Sequence, residues 1–485
     1  MLPDDVLLGV FDFCADEDEI SKKEIEAWQT LVHVCRRWRC VVFGSPRRLG
    51  LRLVCRGNTP ARDTLDVWPA LPLVIQSGWI ENVDNIVAVL EHSNRVCRIE
   101  LSMTSSLDLE PVLAAMQVPF PELTHLFLWS DDGTRVLPDS FLGGSGPRLR
   151  SISFHRLPFP GLPNLLLSAT HLANLDLFNI PHSGYFSPEI MATVLSTLTS
   201  LQSLWLGFES PRSCPDHASR RPPLQTCLIL PALELFSFKG VTEYLEDFVA
   251  RIDAPRLHSF DITFFNQIVF DTPQLVQFIS RTPTLKLLGN ASLTFDAGAA
   301  RIELGPREIG YESLEWIQVK VPCEELDWQI SSLEQICTLC LPSLSMLEDL
   351  YISKHEYGTR KPHWQDNIDN ALWLELLHPF TGVKNLYLSE EFARRIVPAL
   401  KELVEGRATE VLPTLQNIFL EGLEPSGTVQ EGIGQLVATR QVTGHPVTVS
   451  RWDRGFPDSD LDRRKDKDKV PRGRRLINAL RLLPR

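Results

Sequence analysis

Cysteine is scarce. There are ten in 485 residues, at 14, 35, 40, 55, 97, 214, 227, 323, 337 and 340. Most lie inside apolar stretches, which is not the layout of a disulfide framework, and a reducing compartment, cytoplasmic and/or nuclear, is expected. No apolar run approaches the roughly 18 residues of a membrane helix, so no membrane partner is expected. The chain enters directly on LPDDVLLGVF, with neither a basic stretch nor a small-residue cleavage site, so no secretory signal is expected either. Positive charge is short overall: 48 Lys and Arg face 61 Asp and Glu, a net −13. The deficit is uneven. Residues 461–485 hold ten basic and three acidic side chains, +7, which leaves about −20 on the rest. An acidic body does not point to nucleic acid as a partner. The basic end is expected to be a solvated tail, ahead of a contact with acidic lipid, nucleic acid or an importer.

Catalytic signatures are missing too. Cys337 and Cys340 form a C-x-x-C with Cys323 nearby, but zinc needs a second pair at suitable spacing, and ICTLCL reads as a buried, helical, apolar stretch. His355-Glu356 lacks the second His of a zinc-protease helix. Gly432-Ile433-Gly434 lacks the rest of a dinucleotide loop, and Gly143-Gly144-Ser145-Gly146 lacks nucleophile-elbow spacing. Asn290-Ala291-Ser292 is a glycosylation sequon on a predicted strand. There is no Walker loop. The chain therefore reads as a non-enzyme with no cofactor and no metal.

What is present is a repeat. A six-residue pattern, L-x-x-L-x-L with Ile, Val, Phe or Trp allowed, starts at Trp68, Val96, Leu123, Leu149, Leu172, Leu201, Leu233, Leu257, Leu288, Leu314, Leu347, Val383 and Leu415. The copy at Leu288 (LGNASL) is poor. Spacings run from 23 to 36 residues with a mean of about 29. The last three pattern positions alternate apolar, variable, apolar, which is a short strand with one buried face. Amphipathic stretches at 188–198, 242–252, 273–281, 369–377 and 390–405 predict helices between strands. The Pro- and Gly-rich segment 130–165 predicts irregular crossovers. Strand, crossover and strand at this spacing imply parallel strands side by side, each repeat burying its leucines against its neighbours.

The pattern resembles leucine-rich repeats, in the longer, ribonuclease-inhibitor-like form. That resemblance implies an α/β solenoid with parallel strands on the concave side and helices and irregular loops on the convex side. A helix over 428–440 and a strand over 445–450 are expected to close it, with 451–485 as a basic, disordered tail in which 477–483 could be a short helix.

Residues 1–47 show no repeat. Leu7, Val10, Phe11 and Cys14 fall on one helical face after Pro3 and two acids. A charged linker, DEDEISKKE, spans 16–24. A second helix carries Trp28, Leu31, Val32, Cys35 and Trp38 on one stripe. The Leu2-Pro3 start, Asp4-Asp5, Leu8, Phe11 and VCRRWRCVVFGSP (34–46) resemble an F-box. With WQTLVHVCRRWR and SPRRLGLRLVC they are particularly similar to the F-box proteins of mushroom-forming fungi. An F-box followed by repeats over 48–450 implies the substrate receptor of an SCF-type cullin–RING ubiquitin ligase. In that family the F-box binds the Skp adaptor, and the matching positions here are Leu2, Pro3, Val6, Leu7, Phe11 and Trp38. The match begins at residue 2, so preceding adaptor contacts are expected to be missing, and the acidic linker is longer than the family's usual connection. The alternative is a helical cap over the first strand, which would bury Leu7, Val10 and Phe11 against Trp68, Leu71 and Leu73.

The fifth pattern position faces the expected concave surface, where repeat arrays bind partners. From Val96 onward it reads Glu100, Phe127, Ser153, Asp176, Trp205, Ser237, Asp261, Ser292, Gln318, Tyr351, Tyr387 and Phe419. Five of these twelve are aromatic against 8% in the whole chain, the enrichment expected of a binding face. Trp205, Trp316, Tyr351, Tyr387 and Phe419 are the candidate contacts for an unknown target protein. The competing reading of the last three is a cross-strand ladder that only stabilises the sheet. A ligase-independent repeat scaffold is the alternative function.

Overall fold

The computed structural model describes residues 2–15, 27–46, 48–56, 60–77, 82–103, 106–131, 133–213, 227–265, 270, 272–286, 289–306, 316–341, 344–354, 364, 368–402, 410–421 and 428–452. The 16–24 linker, His355-Glu356 and the tail beyond Trp452 lie outside them. The chain is α/β, a largely parallel sheet with helices, and divides into two compact units, 1–201 and 202–485.

The first unit opens with three helices, α1 (Asp4–Ala15), α2 (Ala27–Val34) and α3 (Arg36–Gly44). Asp4 and Asp5 stand in the first turn of α1, where the helix dipole favours negative charge. The Cys35 sulfur caps α3 by accepting the Trp38 N–H at 3.4 Å. Six strands follow: β1 (Leu53–Arg56), β2 (Leu73–Ser77), β3 (Val96–Met103), β4 (His125–Ser130), β5 (Ser151–His155) and β6 (Asn174–Ile180). Each pairs in parallel with the one before it. Between them lie α4 (Ala61–Val67), α5 (Val83–Leu90), α6 (Ser106–Ala115) and α7 (Leu162–Ser168), with α8 (Pro188–Leu195) after β6. The pleat is read directly off β4, where HLFLWS alternates half-buried and buried. The strand β1 has no counterpart among the thirteen pattern copies. The first copy, WPALPL, is offset, because the strand starts only at its last residue, Leu73.

The second unit begins with β7 (Ser203–Phe208). A two-residue parallel pair, β8 (Leu228–Ile229) and β10 (Ile252–Asp253), lies apart from the main strands. The main strands are β7, β9 (Leu235–Gly240), β11 (Ser259–Phe264), β12 (Asn290–Phe295), β13 (Ala299–Gly305), β14 (Trp316–Pro322), β15 (Asp349–Lys354), β16 (Asn385–Leu388), β17 (Asn417–Glu421) and β18 (Thr448–Trp452). Their helices are α9 (Thr242–Val249), α10 (Pro273–Arg281), α11 (Leu326–Gln335), α12 (Asn370–Leu377), α13 (Glu390–Lys401) and α14 (Thr428–Val442). The helices expected between strands are there, with α8, α9 and α13 ending early at Leu195, Val249 and Lys401, whereas the single helix expected to carry Trp28 to Trp38 is broken at extended Cys35 into α2 and α3. ICTLCL continues α11 as a π-helical turn over Ile336–Cys340, with both cysteines buried. Burial pushes the Cys340 thiol up to about 12 and raises Cys337 as well, so neither is a ready nucleophile or ligand.

The strand order corrects the sequence reading. The pattern predicts every strand parallel and in chain order, but the order is β7-β9-β11-β14-β13-β12-β15-β16-β17-β18. β12 and β13 form an antiparallel hairpin. Its turn is held by the Asp296 carboxylate, which accepts the Gly298 N–H at 2.7 Å, and by the Asp296 N–H donating to the Ala299 carbonyl at 2.9 Å. With β13 fixed beside β12, its other edge is taken by β14, antiparallel, and β14 in turn pairs with β11. The poor copy at Leu288 therefore sits next to β15, not β11.

Candidate functional site: the open face of β15 to β18

In-register pairing turns one pattern position into one line across a sheet. In the second unit the fifth position runs from Trp205 on β7, through Ser237 and Asp261 to Gln318, then Glu303 and Ser292, to Tyr351, Tyr387, Phe419 and Ser450. Alternate residues on the same strands, such as Leu350, Ile352, Leu386 and Leu388, are fully buried, and α13 packs beneath β15, β16 and β17. The fifth position is thus on the face away from the helices.

Three rings stand together there. Tyr351 and Tyr387 stack at 4.2 Å with planes 12° apart, and Tyr387 and Phe419 at 4.5 Å and 8°. Trp452, at the end of β18, leans over them, its ring 5.9 Å from Tyr351 and 5.5 Å from Tyr387. This residue lies outside the sequence expectation, which ends the last strand at 450, whereas the strand runs over Thr448–Trp452. The alternation in TVSRW was the available signal. Burial is the first cause that raises both phenols above their ordinary range, followed for Tyr351 by the Tyr387 ring and for Tyr387 by the Asp349 carboxylate.

A polar line runs beside the rings, two residues earlier on each strand. Asn385 Nδ2 donates to Asp349 Oδ1 at 2.7 Å, Asn417 Nδ2 to Asn385 Oδ1 at 2.7 Å, and Thr448 Oγ1 to Asn417 Oδ1 at 2.5 Å. Every donor points toward the Asp349 carboxylate, so the four side chains form one directed chain. The third pattern position carries this signal as Asp349, Asn385 and Asn417.

The other target candidates stand apart. Trp316 is on β14, three strand steps from β15 and so about 14 Å away, and Trp205 is six steps away, about 29 Å. The hairpin inserted between β14 and β15 separates Trp316 from the three rings. In the first unit the same position reads Glu100, Phe127, Ser153 and Asp176. Gln76 donates to Glu100 at 3.3 Å. Asp176 is nearly buried, and burial pushes its carboxyl up to about 7.

The adaptor candidates divide. Leu2, Pro3, Val6 and Val10 are exposed, whereas Leu7 is 4% and Phe11 0% exposed. This corrects the expectation that Leu7 and Phe11 are open to a partner. The Phe11 ring packs edge-on against half-buried Trp38 at 4.9 Å, inside the helical module. Arg37 holds the start of α1, pairing with Asp4 at 2.6 Å and donating to the Leu2 carbonyl at 2.5 Å. The module rests on the chain on either side of β1 and α4: Trp28 meets Trp68, just after α4, at 5.3 Å and donates its indole N–H to the carbonyl of Arg52, just before β1, at 3.1 Å. The outer surface of α1 is left with Val6 and Val10, one helical turn apart, and Leu2 lies exposed just ahead of the helix.

Among the described residues, no group of three or more His, Cys, Asp or Glu side chains could hold a metal ion, and no helix is long and apolar enough to cross a membrane. The chain matches no family model and no curated protein. A solved structure that it resembles is the leucine-rich repeat-containing protein LegL7 from Legionella pneumophila, at 11% identity and a TM-score of 0.26, over 80% of this chain and 97% of that one. So loose a superposition adds no weight to the reading of the fold.

Proposed function

We propose that this chain is a non-catalytic interaction protein, a leucine-rich-repeat receptor that holds a target protein on the open face of β15 to β18. The observation that carries the reading is the ring row Tyr351–Tyr387–Phe419 with Trp452 over it, half-exposed beside a hydrogen-bonding line. Aromatic rings flanked by satisfied polar groups let a partner bury apolar surface without stranding donors, which is the composition of binding hot spots. The groups named in this face stack and hydrogen-bond with one another, an arrangement suited to holding a surface rather than to activating a nucleophile.

The finer reading is a substrate receptor of an SCF-type cullin–RING ligase. Its support is the F-box resemblance over 2–46 together with exposed Val6 and Val10 on α1 and exposed Leu2 just before it. An Skp adaptor docked there would tie the chain to the ligase, and the bound target would be modified because its local concentration near the ubiquitin carrier is raised. A second reading, a scaffold working without the ligase, is favoured by one observation, the docking of Trp28 on Trp68, which makes the helical module a cap on the following elements.

The test is capture of partners on the purified full-length chain and on Tyr351→Ser/Tyr387→Ser/Phe419→Ser. Partners held by the wild type are expected to be lost from the variant while its thermal unfolding stays cooperative. An identical set, held with equal affinity, contradicts the proposal.

A further inference from the structure

In the first unit the open face of the sheet has a low point. Ile152 and Phe154 on β5 and Leu175 and Leu177 on β6 are buried in the core, so the residues between them, Ser153 and Asp176, point to the other side. Side chains on that side are ordinarily accessible, yet Ser153 is 3% and Asp176 8% exposed. The reason is size. Both are short, they lie opposite each other in register, and larger side chains stand around them. Phe127 is the next residue in the same line, on β4. Two residues further along each strand runs a row of rings, Trp129 against His155 at 5.6 Å and His155 against Phe178 at 6.2 Å. These four larger side chains are all half-buried, and Ser153 and Asp176 are the floor between them.

The other acids of this line are matched. Glu100 accepts from Gln76 and pairs with Arg98, Asp261 accepts from Gln318 at 3.0 Å, and Glu303 pairs with Arg301 at 3.5 Å. Asp176 differs. Among the described residues its carboxylate accepts no hydrogen bond and meets no opposing charge, and the Ser153 hydroxyl beside it has no partner either. A buried carboxylate without a partner is costly, and a cation brought to it from outside removes that cost. Three features choose the cation. A guanidinium carries five donors in a planar fork, enough to serve the carboxylate and a hydroxyl one strand step away together. Its plane stacks on aromatic faces, and the Trp129, His155 and Phe178 rings flank the floor. The chain as a whole is acidic, net −13, which draws a basic protein surface toward it.

We propose that Ser153 and Asp176 are the floor of a second contact site, which takes an arginine side chain of a partner protein between Phe127 and the Trp129–His155–Phe178 row. The site belongs to the first unit and stands whether or not the ring row of β15 to β17 holds a target.

The test uses Nα-acetylarginine methylamide, which presents the side chain as a protein does, and its citrulline counterpart, which keeps the shape and loses the charge. Each is titrated into the full-length chain at about pH 8, above the Asp176 value of about 7, and binding is read from saturation transfer to the probe's proton signals. The arginine probe is expected to bind saturably in the millimolar range, and at least about tenfold more weakly to Asp176→Asn, a substitution that keeps the side-chain shape. The citrulline probe is expected not to bind. Tyr351→Ser/Tyr387→Ser/Phe419→Ser is expected to bind the arginine probe as the wild type does, which separates this site from the ring row. Thermal unfolding of each variant checks that it is folded. Absence of saturable binding to the folded wild type, equal binding of the two probes, an affinity that Asp176→Asn leaves unchanged, or loss of the probe from the triple Ser variant overturns the proposal.

Discussion

Tyr351, Tyr387 and Phe419 touch the solvent side of their sheet, and the core lies on the other side, beneath α13. Their removal should therefore cost binding more than folding. Each cross-strand ring contact contributes about 0.5–1 kcal/mol, so the triple Ser variant should lose on the order of 2 kcal/mol of stability and keep a single cooperative transition. Urea unfolding measures this, and a loss as large as that of a core cavity would show the rings to be structural. Asp176 gives a prediction about pH. Its folded carboxyl is raised to about 7 by burial, above the ordinary Asp value of about 3.9. The folded state then holds the proton more tightly than the unfolded one. The stability that goes with this is fully present below about pH 4 and is lost as pH rises through about 7. Asp176→Asn should flatten that fall, unfolding at higher urea than the wild type at pH 8 and at nearly the same urea at pH 4. Parallel curves for the two proteins would show that Asp176 does not carry the dependence.

At the scale of elements, α14 buries Ile433, Leu436 and one charged side chain, Arg440. Arg440 is 1% exposed and donates to the carbonyls of Leu412 at 3.0 Å and Val411 at 2.8 Å. Leu412 takes a left-handed backbone at φ 51°, so its carbonyl is aimed by the bend and not by a strand. Arg440→Met keeps the apolar stem but leaves two carbonyls unpaired, and about 3 kcal/mol should be lost. Thermal unfolding checks this, and a change below about 1 kcal/mol would mean that water or another donor serves those carbonyls. The same scale shows what the sequence could reveal. Period-two leucines and their spacing identify β3 to β7 and β15 to β17, because each depends only on local alternation and a one-residue register. The β12–β13 hairpin was not legible, since the β13 residues ARIEL match no copy of the pattern and only the Asp296–Gly298 turn marks them. Trp452 escapes notice for a related reason: the polar composition beyond Arg451 outweighs two residues of alternation. The burial of Leu7 and Phe11 needed the packing of α1 on α3, which a single helix's periodicity does not contain.

For the whole molecule, two surfaces matter, one in each unit. One is the outer side of α1, where Val6 and Val10 are exposed with Leu2 just ahead of them, and the other is the ring row of β15 to β17. The measurement that tests the ligase-receptor reading most directly is a calorimetric titration of purified Skp adaptor into the full-length chain, alongside Val6→Asp/Val10→Asp. These two positions are the right ones to change, because Asp at buried Leu7 or Phe11 would disrupt the module itself. The expected result is saturable 1:1 binding by the wild type and a loss of at least about tenfold in affinity, about 1.4 kcal/mol, in the variant, with both proteins folded. A folded wild-type chain that takes up no adaptor, or that binds it equally with and without the two aspartates, contradicts the ligase-receptor reading and leaves the helical module as a cap.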